Sequence, residues 1–226
     1  MKVRTIGWIR SGTSWIRRLL IHYFDDPSLP AWSFLSHGNR DDFVHTHEMN
    51  EKIRAEQLQN GTRIVYVFRD PRDTAISSYY FHYNNPQLSN PQPTLLEYLQ
   101  TYFSRHQVPA GDVQGWLSHM EKWLAMQDTI YAQHEKLYDN REWELRRIVS
   151  ELGVMPEQDR IDFAVRQSFM KTAWRPVYED PSKWRNEAHV VPSGKPGEWK
   201  KHFGKTEIAF MRSYCGDLME KLGYEW

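Results

Sequence analysis

The stretch 5-TIGWIRSGTSWIRRLL-20 decides how this chain is read, because it places Gly7 and Gly12 at the ends of a four-residue gap and follows them with Thr13 and Ser14. Before it, Val3 to Ile9 reads as a strand. After it, Trp15/Ile16, Leu19/Leu20 and Tyr23/Phe24 recur every four residues, the signature of a helix with one apolar face. Strand, glycine-bearing turn and helix in succession form a loop suited to anions, because the first N–H groups of the helix have no partners and its dipole adds positive charge there. The pattern falls one residue short of the phosphate-binding form G-x-x-x-x-G-K-[ST], since Thr13 stands where lysine belongs. Arg10, two residues before Gly12, is the replacement cation, and its planar fork matches phosphate or sulfate oxygens.

The bulk composition narrows the field. At 226 residues one domain spanning 1–226 is expected, and Lys plus Arg equals Asp plus Glu at 29 each. A dedicated nucleic-acid binder is therefore not expected, and any anionic ligand must be met by local cations. The single cysteine, Cys215, rules out an internal disulfide framework and any multi-cysteine metal site, which suits a reducing cytoplasm; it lies on an apolar helical face and reads as a buried structural thiol. The opening MKVRTIGWI lacks the apolar core and small-residue cleavage site of a secretory leader, so none is expected. No window approaches the roughly 18–20 apolar residues that a membrane span needs. Aromatic residues make up 14%, including ten tryptophans, and core packing is the expected role for most of them.

Along the rest of the chain, Phe43 to His47 is a short strand candidate, and Ile64 to Phe68 is a continuous apolar run of the kind a strand covered on both faces needs. DPRDTAISSYYFHY after it opens with good first-turn residues and continues as a helix. The segment from Asn84 to Pro93 reads as a loop. Trp116 to Leu124 mark another helix, TIYAQHE a further strand, and Leu145, Ile148, Val149 and Leu152 a helix ended by Gly153. Ile208, Met211, Cys215, Leu218 and Leu222 mark a terminal helix closed by Gly223. Alternating strands and helices predict an α/β fold, an open, mostly parallel sheet flanked by helices, with ligands at the carboxyl ends of the strands.

Two further blocks make the comparison specific. RSGTSW, Arg10 to Trp15, resembles the 5′-phosphosulfate loop P-[KR]-S-G-T-[TS]-W of the sulfotransferases that use 3′-phosphoadenosine 5′-phosphosulfate (PAPS). YVFRDPRDTAISSYYF resembles that family's 3′-phosphate motif, an arginine ending a strand and a serine eight residues later, here Arg69 and Ser77. An arginine at a strand end and a hydroxyl on the next helix are able to grip one phosphate from two sides. GKPGEWKKHF, Gly194 to Phe203, resembles the C-terminal motif R-K-G-x-x-G-[DE]-W-K, with Pro192 and Ser193 in place of the usual Arg-Lys. Lys195, beside the glycine, is the first choice to compensate, ahead of Arg185 and Lys201. GWLSHMEKW is a weaker echo, as is QSFM, which puts Ser168 near the nucleotide and Phe169 at the adenine.

The resemblance implies a P-loop-like sulfotransferase fold and transfer of a sulfuryl group from PAPS to an alcohol, phenol or glycan hydroxyl, leaving adenosine 3′,5′-bisphosphate and needing no metal. Arg10, Ser11, Gly12, Thr13, Ser14 and Trp15 would then hold the phosphosulfate, and Arg69, Ser77, Ser168, Phe169, Gly194 and Lys195 the nucleotide end. Its base is a histidine in a K-T-H segment after the second strand, which FVHTHE matches with Thr46 and His47; His45 and Glu48 are the rivals. Histidine suits the task because its ordinary pKa of about 6.5 lies near working pH. The chain is shorter than many relatives before the first strand, which leaves the acceptor pocket either open or completed by a second copy in a homodimer. The competing reading is a P-loop kinase using ATP and magnesium, in which Asp70 at the end of its apolar strand is the metal ligand.

Overall fold

The computed structural model describes residues 2–24, 43–46, 61–83, 93–104, 115–168 and 194–226. Its centre is a four-stranded sheet of β1 (Val3–Ile6), β2 (Phe43–Thr46), β3 (Arg63–Phe68) and β4 (Thr129–Gln133) in the order β2-β1-β3-β4. Every pairing is parallel, with Ile6 opposite Thr46 on one side and Tyr66 on the other, and Phe68 opposite Gln133. The chain leaves β1 toward β2 on one flank and returns to place β3 on the other. Strand order therefore reverses between β1 and β3, where an open α/β sheet leaves a crevice beyond its carboxyl ends.

The sheet is packed on both faces, and β3 shows how. Its alternating side chains divide between two cores: Ile64 and Tyr66 join one, Val65 and Val67 the other. On the Val65 face lie α1 (Thr13–Phe24), which buries Ile16, Leu19 and Leu20, and the helices Arg141–Glu151 and Gln158–Gln167. On the Tyr66 face lie α2 (Pro71–Tyr83), the helix Gly115–Leu124 and the helix Lys205–Lys221, with Trp8, Trp116 and Trp123 wholly buried among them. Two-sided burial explains why β3 reads as an unbroken apolar run rather than an alternating one.

Several boundaries differ from the sequence expectation. β1 stops at Ile6, not Ile9, because the chain turns into the loop at Gly7, where a Cβ would come within 2.3 Å of the Val67 carbonyl oxygen. β4 stops at Gln133, and His134 begins the short helix His134–Asp139. The terminal helix is broken at Cys215, whose φ of −142° is not helical. Cys215 is buried as expected, with Sγ 3.4 Å from the Met211 carbonyl, and burial pushes its thiol pKa up to about 12. Among the described residues five of seven tryptophans are buried in the core, and Trp143 is 54% exposed.

Candidate functional site at the carboxyl ends of the strands

The loop Gly7–Gly12 joins β1 to α1 by a tight turn in which the Ser11 N–H bonds the Trp8 carbonyl at 3.0 Å. Arg10 holds a left-handed backbone conformation, φ 72°, which is uncommon for a residue with a Cβ and is stored at this turn. Gly12 is left-handed as well, φ 104°, and its carbonyl accepts the N–H groups of Trp15 and Ile16. The N–H groups of Thr13 and Ser14 precede these and stand outside the ladder of the helix, as donors at a helix start must. An alanine Cβ at Gly12 would lie 2.8 Å from Cδ2 of His134, so the loop and the start of helix His134–Asp139 pack back to back.

Arg10 and Ser77, placed by sequence on opposite ends of the cosubstrate, are direct neighbours: Arg10 Nε donates to Ser77 Oγ at 3.2 Å. The Arg10 guanidinium also lies over the Phe81 ring, 4.9 Å from its centroid. The middle and last turns of α2 thus meet the β1 loop.

Arg69 follows β3 directly and is 3% exposed, yet its Nε and Nη2 have no hydrogen-bond partner among the described residues. Such a group is costly to bury unless an anion completes it. Its acidic neighbours are committed elsewhere. Asp70 caps α2 by accepting the Arg72 N–H at 2.9 Å, and both its oxygens are bonded by the Arg72 side chain. That bidentate clasp, with Pro71 as the first helical residue, makes Asp70 a helix cap rather than a free carboxylate for magnesium. Asp73 accepts the N–H groups of Gly197 at 2.7 Å and Trp199 at 2.8 Å, which fastens the Gly194–Lys200 segment onto α2. Burial raises the Asp73 pKa, while the Arg69 charge and those two bonds oppose the rise.

His134 begins the helix after β4, packs its ring against Trp15 at 5.4 Å and is 3% exposed. Burial first, and the Arg69 charge second, hold its pKa well below the ordinary value, so the ring is neutral. Its Nδ1, like Ser11 Oγ, Ser168 Oγ and Trp15 Nε1, is buried and has no partner among the described residues. These orphaned polar atoms lie with Arg69 on the loops and helix ends beyond the sheet, which is the pattern left when a polar ligand completes a site. Nothing in TIYAQHEKL singles out His134 in the sequence; its packing against Gly12 and Trp15 is visible only in the fold.

Of the expected nucleotide contacts, Ser11 and Thr13 are buried and Ser14 is exposed at the helix start, while Lys195 is exposed beside Gly194 (φ 75°). Lys201 pairs with Glu198 at 3.1 Å. His47, Glu48, Phe169, Arg185, Pro192 and Ser193 lie outside the described residues, as does the side chain of His45; the backbone of Thr46 ends β2. No group of three or more His, Cys, Asp or Glu able to hold a metal occurs among the described residues. Nor is any described helix long and apolar enough to cross a membrane.

The chain is similar in sequence and fold to known proteins. The 3-beta-hydroxysteroid sulfotransferase of Cavia porcellus is 25% identical, the match covering 88% of this chain and 77% of that protein. Mouse sulfotransferase SULT7A1 complexed with PAP has the same fold, with a TM-score of 0.69 at 19% identity over 97% of this chain and 84% of that one. Retinol dehydratase in complex with androsterone and the inactive cofactor PAP gives a TM-score of 0.72 at 16% identity, covering 100% and 82% of the two chains. The model of the sulfotransferase domain matches residues 33–223, a span that takes in Arg69, Ser77, Ser168 and Gly194–Lys200 and leaves the Arg10–Trp15 loop outside it. The chain belongs to the sulfotransferase domain family.

Proposed function

We propose that the chain transfers a sulfuryl group from PAPS to the hydroxyl of a small apolar alcohol or phenol, with His47 as base. The observation that carries the reading is the buried Arg69 fork, whose Nε and Nη2 no described residue bonds, at the carboxyl end of β3 beside β1, whose following loop carries Arg10. The acceptor class is supported by the relatives, one named for hydroxysteroids and another complexed with androsterone.

PAPS supplies an activated sulfuryl group linked through oxygen to its 5′-phosphate. Arg10 and the N–H groups of Thr13 and Ser14 stabilise the charge that appears on that oxygen as its bond to sulfur breaks. His47, the residue after β2, takes the acceptor's proton as the acceptor oxygen bonds sulfur, and the 3′,5′-bisphosphate departs. Arg69 holds the 3′-phosphate, and Ser77, which accepts the Arg10 Nε–H, joins that phosphate to the β1 loop; the neutral His134 supports the loop from behind without adding charge. Arg69 stays free for the phosphate because Asp70 and Asp73 are already engaged.

Thermal unfolding separates this reading from the kinase reading. Adenosine 3′,5′-bisphosphate at 100 times its Kd should stabilise the protein by about 2.7 kcal/mol without magnesium. Stabilisation by ATP with magnesium, and none by the bisphosphate, would reverse the assignment.

A further inference from the structure

Two chains of contact run from the segment Tyr224–Trp226 to the turn that carries Arg69. In the first, the Tyr224 hydroxyl donates to Glu135 Oε2 at 3.1 Å, and Glu135 Oε1 accepts the Asp70 N–H at 2.9 Å. In the second, the Trp226 ring lies 5.0 Å from the Arg72 guanidinium, which also sits 4.0 Å from the Trp199 ring and bonds both oxygens of Asp70. Both end on Asp70, one on its backbone and one on its side chain. The segment is itself tied down, since the Tyr224 N–H bonds the Met219 carbonyl at 2.9 Å.

The consequence concerns charge. Glu135 is one hydrogen bond from the residue after Arg69 and feels the Arg69 charge. With one oxygen on Tyr224 and the other on the Asp70 backbone, Glu135 is committed and Arg69 keeps its fork. We propose that Tyr224 and Trp226 are positioning residues for cosubstrate recognition: Tyr224 holds Glu135, and Trp226 holds Arg72, so that Arg69 stays fixed and unneutralised for an incoming phosphate. The inference rests on the reading of Arg69 as the 3′-phosphate ligand and reaches residues far along the chain from every phosphate motif.

Calorimetric titration with two nucleotides tests it. The ratio of affinities for adenosine 3′,5′-bisphosphate and adenosine 5′-monophosphate isolates the 3′-phosphate from the rest of the site. Tyr224→Phe, which removes one oxygen atom, should lower that ratio about fivefold, the size of one hydrogen bond, and Trp226→Leu should lower it in the same sense. In a Glu135→Gln background, Tyr224→Phe should change the ratio no further, because the path it acts through is already cut. A ratio unchanged in Tyr224→Phe and Trp226→Leu, with melting temperature alone reduced, would mean that the segment is merely structural. Arg69→Ala serves as the control: it should remove the discrimination altogether, and if it does not, the assignment of Arg69 fails rather than that of Tyr224.

Discussion

Gly7 and Gly12 are both required, for different reasons. At Gly7 the obstacle is space, since a methyl group would sit 2.3 Å from the Val67 carbonyl oxygen and 2.5 Å from Ser11 Oγ. Gly7→Ala should therefore cost about 1–3 kcal/mol of stability, as overpacking does, read as a lower urea midpoint. At Gly12 the left-handed backbone and the His134 ring act together. Gly12→Ala should weaken adenosine 3′,5′-bisphosphate binding more than it lowers stability, and the reverse would show that the loop has no ligand role. Arg10, Gly12 and Thr13 were legible in the sequence because a phosphate loop needs particular residue types at fixed spacing. His134 was not, since its importance lies in what it touches across the fold.

The decisive element is α2, which carries Ser77 and Phe81 toward the β1 loop and Asp73 toward the Gly194–Lys200 segment. Removing the Asp73 carboxylate would leave two buried-side N–H donors without an acceptor, each worth about 1–3 kcal/mol. Asp73→Ala should lower the urea midpoint accordingly and raise the bisphosphate Kd, whereas Asp73→Asn, which keeps one acceptor oxygen, should lose less. Equal loss in both variants would mean that the charge and not the latch matters. At this scale the apolar run of β3 and the four-residue repeat of α1 made those elements readable. The helix Gln158–Gln167 went unread because it buries only Ile161 and Ala164, too narrow a stripe to stand out in QDRIDFAVRQ. The break at Cys215 was equally invisible: Met211, Cys215 and Met219 are all buried, so the apolar spacing runs straight through a residue that is not helical.

Over the whole molecule, the reversal of strand order between β1 and β3 gathers the loop, Arg69 and the end of β4 at one edge of the sheet. The same burial leaves a mark on stability. Burial, with Arg18 adding to it, lowers the His22 pKa from 6.5 to about 4, so between those values the unfolded chain takes up a proton that the folded one refuses. This histidine's contribution is intact above pH 6.5 and lost as pH falls toward 4; Asp73 and Glu135, whose pKa values are raised, act in the opposite sense. The comparison that isolates it is His22→Gln, which should show a shallower fall of urea midpoint from pH 6.5 to 4 than the parent protein. Parallel falls would remove His22 from the account. Sulfuryl transfer is read by incubating the protein and its His47→Ala variant with PAPS labelled in the sulfuryl group, alongside hydroxysteroids, phenols, aliphatic alcohols and glycans. Label should appear on an apolar alcohol or phenol with the parent protein, and transfer should fall about 10²–10⁴-fold in the variant with bisphosphate affinity unchanged. Tight bisphosphate binding with no label on any acceptor would contradict sulfuryl transfer by this chain.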